Sequence, residues 1–175
     1  MSMKFRLERL SSPVGGLLVV SDHEGLLRAL DFVDYEARMH RLLRLHYGSY
    51  ALSDGSPPAQ ITQALAAYFD GDLTAIEDVP VKTCGTVFQR GVWKALRDIP
   101  PGRTMSYGQL AAAIGRPTAS RAVGMANGAN PIAIVVPCYR VIGSSGTLTG
   151  YGGGIARKLW LLQHEGLQSD LLHPK

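Results

Sequence analysis

Cysteine is scarce in this chain. Two residues in 175 cannot build a disulfide framework, and unpaired thiols point to a reducing, cytoplasmic compartment. Long apolar runs are missing too. None approaches the roughly 18 residues of a membrane span. The opening Met-Ser-Met-Lys-Phe-Arg-Leu-Glu alternates polar and apolar residues and lacks the apolar core of a signal peptide. Cys84 and Cys138 lie far apart, and no two of the five histidines have ligand spacing, so no metal is expected. There is no Gly-x-Ser-x-Gly elbow, and no carboxylate pair in the second half, which leaves hydrolase chemistry without its tools. The run Gly150-Tyr151-Gly152-Gly153-Gly154 fits neither the dinucleotide fingerprint nor the P-loop, so no nucleotide cofactor is expected. Repeats and low-complexity tracts are absent.

Acidic residues are scarce only in the second half. Residues 1–80 carry 7 Lys/Arg and 11 Asp/Glu, a net of −4, whereas residues 81–175 carry 11 and 3, a net of +8. Such an asymmetry fits a C-terminal half that meets a polyanion, and a solvated basic surface is the plainer alternative.

Nearly half the residues are hydrophobic, enough for a solid core or two small ones. Residues 3–10, 16–21 and 26–33 are alternating or apolar runs separated by turn residues, which predicts an antiparallel meander. Residues 34–47 switch to helical period, with Met39, Leu42, Leu43 and Leu45 available to pack. A loop over 53–58 and a helix over 59–69 follow. Residues 71–85 have weak periodicity and read as a linker, which divides the chain into 1–80 and 81–175. The second half opens on a capping box, Thr86 with Gln89, and its helix stops at Pro100-Pro101-Gly102. Short helices are predicted over 107–114 and 118–127, joined by a turn at Gly115-Arg116-Pro117. This is the outline of a helix-turn-helix, and equally of two small helices packed in a core. Residues 132–136 read as a brief apolar strand or extended run, 143–154 as a loop with six glycines, and 155–164 as a last helix.

Cys138 stands out, in Val135-Val136-Pro137-Cys138-Tyr139-Arg140-Val141-Ile142. A thiol at the end of an apolar strand is held rigidly, and a neighbouring cation favours the thiolate, the reactive form. Against this, most unpaired thiols are simply buried. Only His164 lies near it in sequence, followed by Glu165. Cys84 sits in the linker and reads as incidental.

Several segments, taken together and in order, resemble one family. They are Ser106-Tyr107-Gly108, Ser120-Arg121-Ala122-Val123-Gly124, Asn130-Pro131, Pro137-Cys138, Gly150-Tyr151-Gly152-Gly153 and His164-Glu165-Gly166. They are similar to the O6-alkylguanine-DNA alkyltransferases, the methylated-DNA–protein-cysteine methyltransferases, in their bacterial form. The likeness is dense from residue 86 to 166. It implies an α/β (α+β) protein with an N-terminal ribonuclease H-like domain of antiparallel strands. A mostly helical C-terminal domain would carry a helix-turn-helix. The implied function is direct, stoichiometric and irreversible transfer of the alkyl group from O6-alkylguanine, and from O4-alkylthymine, in double-stranded DNA to Cys138. No cofactor is required, and a monomer is expected.

The resemblance also implies roles. The second helix of the pair enters the minor groove with Ala119, Ser120, Ala122 and Gly124 close to the DNA, and Arg121 fills the gap left by a flipped-out guanine. Tyr107 donates to the leaving base. The carbonyls of Cys138 and Val141 accept from its exocyclic amine. The N–H of Gly152 faces O6, and Tyr151 lines the alkyl pocket. In the family a histidine beside the cysteine works through water, with a glutamate behind it, to deprotonate the thiol, and Asn130 and Glu165 have their counterparts here. Tyr139 departs from the family, which carries histidine there. A phenol titrating near pKa ~10 is a poor base at neutrality, so the thiolate must be supported otherwise. Arg140, helix N-termini, or a water between Tyr139 and Glu165 are the available supports, with His164 a weaker substitute. Asn127 and Gly128 replace bulkier or basic residues of some members, an expected loss of DNA affinity. The alternative function is a lesion-binding protein that flags alkylated DNA with slow or no transfer.

Overall fold

The computed structural model describes residues 2–168 and 173–174. The chain forms two compact units, residues 1–84 with 131–135, and residues 85–130 with 136–175.

In the first unit, β1 (Met3–Leu10), β2 (Leu17–Ser21) and β3 (Leu27–Phe32) form the predicted meander, each antiparallel to its neighbour. β1 alternates as a strand with one buried and one solvated face should, with Phe5 and Leu7 buried and Lys4 and Arg6 exposed. Every residue of β2 and β3 is buried, so the sheet is covered on both faces. α1 (Glu36–Tyr47) packs on β3 through Met39, Leu42 and Leu43. Leu45, expected to pack with them, is exposed because it lies off that stripe. β4 (Tyr50–Asp54) then pairs parallel to β1 and completes the order β3-β2-β1-β4. Its outer position leaves it half-solvated and weakly patterned, which hides the strand from its residues alone. α2 (Ala59–Phe69) buries Ile61, Leu65 and Tyr68, a single helical stripe.

Two expectations are corrected. Residues 71–85 are not a bare linker. A 3-10 turn over Ala75–Asp78 buries Ile76, Val79 is buried after it, and Val81 bridges to Leu27. Three anchors spaced this irregularly leave no period to detect. Residues 132–136 are buried but form no strand. Leu30 N–H donates to Pro131 O and Ala133 N–H to Leu30 O, a single bridge. Ile134 then takes φ +70°, which turns the backbone out of any ladder.

The second unit begins with α3 (Val87–Arg97), started by the capping box read from Thr86 and Gln89. Its buried face is Val92, Trp93 and Leu96. β5 (Met105–Ser106) leads into α4 (Tyr107–Ala113), which has a capping box of its own between Ser106 and Gln109. α5 (Ser120–Gly128) packs on α3 and α4, and the Trp93 indole donates to Ala126 O at 2.8 Å. β6 (Val141–Ile142) runs parallel to β5, which sets the start of α4 beside the residues that follow Cys138. After β7 (Thr147–Leu148), α6 (Ile155–His164) closes the unit, and β8 (His173–Pro174) pairs parallel with β7.

Ile134 provides a test of what holds the 131–135 segment. Its left-handed backbone costs about 1–2 kcal/mol, and its fully buried side chain is worth roughly 2–5 kcal/mol. Ile134→Gly should therefore lower stability by about 1–3 kcal/mol in urea unfolding, and Ile134→Ala by more, because alanine keeps the strain.

Candidate active site

Cys138 does not end a strand. It opens a 3-10 turn, Cys138–Arg140, after Pro137. Two asparagines hold that turn from the α5 side. Asn130 Nδ2 donates to Val136 O at 2.8 Å, and Asn127 Nδ2 to Cys138 O at 3.3 Å. The Cys138 N–H donates to Val136 O at 2.8 Å. The carbonyls on either side of Pro137 are thus both claimed, which fixes the backbone that carries the thiol. Asn127 corrects its expected role. It faces inward, 5% exposed, rather than toward DNA, and its Oδ1 is buried with no hydrogen-bond partner. Neither cysteine is in a disulfide. Cys138 is buried and Cys84 exposed.

Tyr139 and Arg140 point away from solvent to a common acceptor. The Tyr139 hydroxyl donates to Glu165 Oε2 at 2.6 Å. Arg140 grips the same carboxylate with two nitrogens, at 2.9 and 2.8 Å, and donates to Ile99 O at 2.6 Å. The guanidinium also stands over the Tyr139 ring, 5.4 Å from its centroid. These groups are all buried, and the side chains of the pair are 3% and 0% exposed. The geometry revises two expectations. Arg140 is held by Glu165 in a buried ion pair rather than standing as an isolated charge. Tyr139 meets Glu165 directly, with no place for water between the bonded oxygens.

The cation near the thiol is Lys158, which the sequence reading missed. It is fully buried on the stripe of α6 that also buries Leu161 and Leu162. A lysine at an apolar-stripe position was the signal. Its ammonium donates to Val141 O at 2.6 Å and Thr149 O at 3.0 Å. Burial pulls its pKa down to about 8, and the attraction of Cys138 opposes that pull. The amine therefore exchanges a proton close to neutrality, within electrostatic reach of the thiol.

Other expected residues gather around this turn. The Tyr107 hydroxyl is 2.9 Å from Thr149 Oγ1. The Tyr151 ring lies edge-on to Tyr139, with centroids 6.4 Å apart. Val141 is buried and Gly152 exposed. On α5, Ser120, Arg121 and Ala122 are exposed, and Ala119 and Gly124 are half-buried. His164 stacks on Trp160 at 4.8 Å. Among the described residues, no group of three His, Cys, Asp or Glu could hold a metal ion, and no helix is long and apolar enough to cross a membrane.

Comparison with known proteins gives this arrangement its context. Residues 87–167 match the family model described as 6-O-methylguanine DNA methyltransferase, DNA binding domain, and residues 6–83 match the ribonuclease-like domain of the same methyltransferase. The chain belongs to that family. The methylated-DNA–protein-cysteine methyltransferase of Salmonella typhimurium is 54% identical over 161 residues, covering 91% of this chain and 94% of the relative. That of Mycobacterium leprae is 46% identical over 89% of each chain. The crystal structure of Mycobacterium tuberculosis OGT in complex with DNA is 44% identical, with a TM-score of 0.77, over 97% of this chain and 95% of that one. The α/β architecture read from the sequence is that of this methyltransferase family.

Two predictions follow from the buried charges. Glu165→Gln keeps shape but strands the Arg140 charge, and should cost about 3–5 kcal/mol in unfolding. Tyr139→Phe removes one hydrogen bond to a carboxylate, and should cost about 1.5–3 kcal/mol. A relay role alone would slow transfer and leave both stabilities intact. For Lys158 the sign is fixed by linkage. Its folded pKa lies below the unfolded value of 10.5, so the unfolded chain binds more protons between the two. Stability should rise as pH climbs from about 8 to 10.5, and Lys158→Met should lose that rise in urea midpoints measured across the range.

Proposed function

We propose that the chain repairs O6-alkylguanine in double-stranded DNA by direct transfer of the alkyl group to Cys138. The observation that carries this reading is a thiol fixed at the head of a turn by two asparagines, with a buried, near-neutral-titrating ammonium in electrostatic reach. Family membership across both halves supports the reaction class.

The target oxygen is inaccessible within a base stack, so the nucleotide must leave it. The two short helices act as the helix-turn-helix. Arg121, with Ala119, Ser120, Ala122 and Gly124, meets the DNA and holds the gap. The Lys158 ammonium, already protonated, stabilises the thiolate by its charge, and the thiol proton passes to solvent. Sulfur attacks the alkyl carbon, the carbon–O6 bond breaks, and the electron pair leaves with guanine. Tyr107 gives the base its proton and regains one from solvent. The Gly152 N–H faces O6, and Tyr151 walls the alkyl group. The carbonyls of Cys138 and Val141 each already accept one donor, from Asn127 and Lys158, and each has a second lone pair for the exocyclic amine.

In this scheme Tyr139, in the family's histidine position, and Glu165 lock the turn rather than relay protons. Asn130 holds the Val136 carbonyl ahead of the turn. The thioether product does not reverse, so each molecule acts once. O4-alkylthymine presents the same alkyl–oxygen bond and is the second substrate. The chain works as a monomer without cofactor, in the cytoplasm, where the thiol stays reduced. Residues 1–80 form the ribonuclease H-like domain, and 81–175 carry binding and transfer.

Intact mass after reaction with O6-methylguanine duplex should show one hydrogen replaced by methyl, mapped to Cys138, and Cys138→Ala should show none. Alkyl on Cys84, or binding without mass gain, would overturn the reading in favour of a site elsewhere or of a lesion-binding protein. Transfer should be slower in Lys158→Met at neutral pH, followed as the rate of methyl gain in intact mass, because the thiolate loses its buried counter-charge.

A further inference from the structure

α5 presents a ridge that transfer chemistry does not use. Val123, Ala126 and Asn127 are its buried face. The opposite face, at helical spacing, carries Arg121, Gly124, Met125 and Gly128. Met125 is 74% exposed, one of only four exposed large hydrophobic side chains among the described residues. A glycine precedes it, and another stands one turn beyond. Space is open beside Gly128, where an added Cβ would meet nothing within 4 Å. At Gly124 an added Cβ would sit 3.6 Å from the Tyr107 ring. The ridge is therefore bare backbone with one long apolar side chain standing up from its centre and one cation a turn before it.

This shape has a physical consequence. Glycines flanking the thioether let the backbone settle onto a flat surface, and the side chain then projects beyond the plane of contact. A methionine projecting from a face that meets phosphates gains nothing from charge. It gains by leaving water, which on a duplex means entering between base steps. The occupant of the face is duplex DNA, because residues 87–167 match a DNA-binding domain and the unit holding them is basic.

We propose that Met125 is an apolar wedge that unstacks the duplex beside the lesion, one helical turn from Arg121. The proposal rests on the transfer reading above. The division of labour is explicit. Met125 opens the stack, and Arg121 supplies charge to the opened site. An unbranched thioether suits the first task, since it adapts to whichever bases flank the lesion.

The experiment compares the parent, Met125→Ala and Met125→Leu on a duplex carrying O6-methylguanine with 2-aminopurine next to it, and on free O6-benzylguanine. The ratio of duplex rate to free-base rate should fall about tenfold in Met125→Ala and recover in Met125→Leu, because unstacking is needed only in the duplex. The parent should raise 2-aminopurine fluorescence on binding, and Met125→Ala should not. The salt slope of duplex affinity should stay that of the parent, since no phosphate contact is lost. An unchanged rate ratio with an unchanged fluorescence rise overturns the wedge. A parent that alkylates Cys138 with neither substrate overturns the transfer reading instead. Met125 is exposed, so its replacement does not threaten the fold.

Discussion

The buried pair of Arg140 and Glu165 is the constraint on which the second unit depends. Three segments converge on it: the turn that starts at Cys138, the residue after α6, and the carbonyl of Ile99 just past α3. Each alone would expose a charge or a carbonyl to a dry interior. Together they satisfy one another, and removing any partner leaves a buried charge whose cost exceeds that of most single contacts. Tyr139 completes the shell with its hydroxyl on the carboxylate and its ring beneath the guanidinium. The two residues after the thiol are therefore tied into the architecture of the turn.

The other groups around the thiol come from the α5 side and from α6. Asn127 and Asn130 place the backbone around the thiol, and Lys158 sets the local charge. The three differ in kind. An asparagine amide is neutral and directional and suits fixing a carbonyl. A buried ammonium is a compact charge, and suits supporting a thiolate. Because α5 carries Asn127 on its inner face and Arg121 on its outer one, a single short helix connects the exposed surface proposed to meet DNA to the Cys138 carbonyl.

Much of the architecture was legible where period was strong. The meander, α2 and the capped start of α3 follow from alternation, stripe and the Thr86–Gln89 pair. β4 was hidden because a short edge strand that buries only Tyr50 and Leu52, and those only in part, has little pattern. The segment before Cys138 read as a strand because Ile132 to Val136 is apolar and β-branched. The left-handed backbone at Ile134 is a tertiary choice that no local preference announces. At the site, the thiol and its surrounding motifs were visible. The partners of Arg140 were not, since a cation one position from a thiol's neighbour looks available until Glu165 is seen to hold it. Lys158 was overlooked because lysine is rarely buried, though its place on the α6 stripe marked it.

Lys158 also bears on what becomes of the protein after use. A thiolate and an ammonium in a dry pocket offset each other's burial. A thioether carries no charge. Once Cys138 is alkylated, the attraction that supports the protonated amine is gone, and its desolvation stands unopposed by that thiol. In the proposed reaction the spent molecule holds the protonated amine on the Val141 and Thr149 carbonyls without the thiolate's support, at a cost in stability. Used and unused copies then differ in how often they open, and proteolysis samples open forms. A protein that acts once thereby carries, in the support of one buried lysine, a mark of whether it has acted.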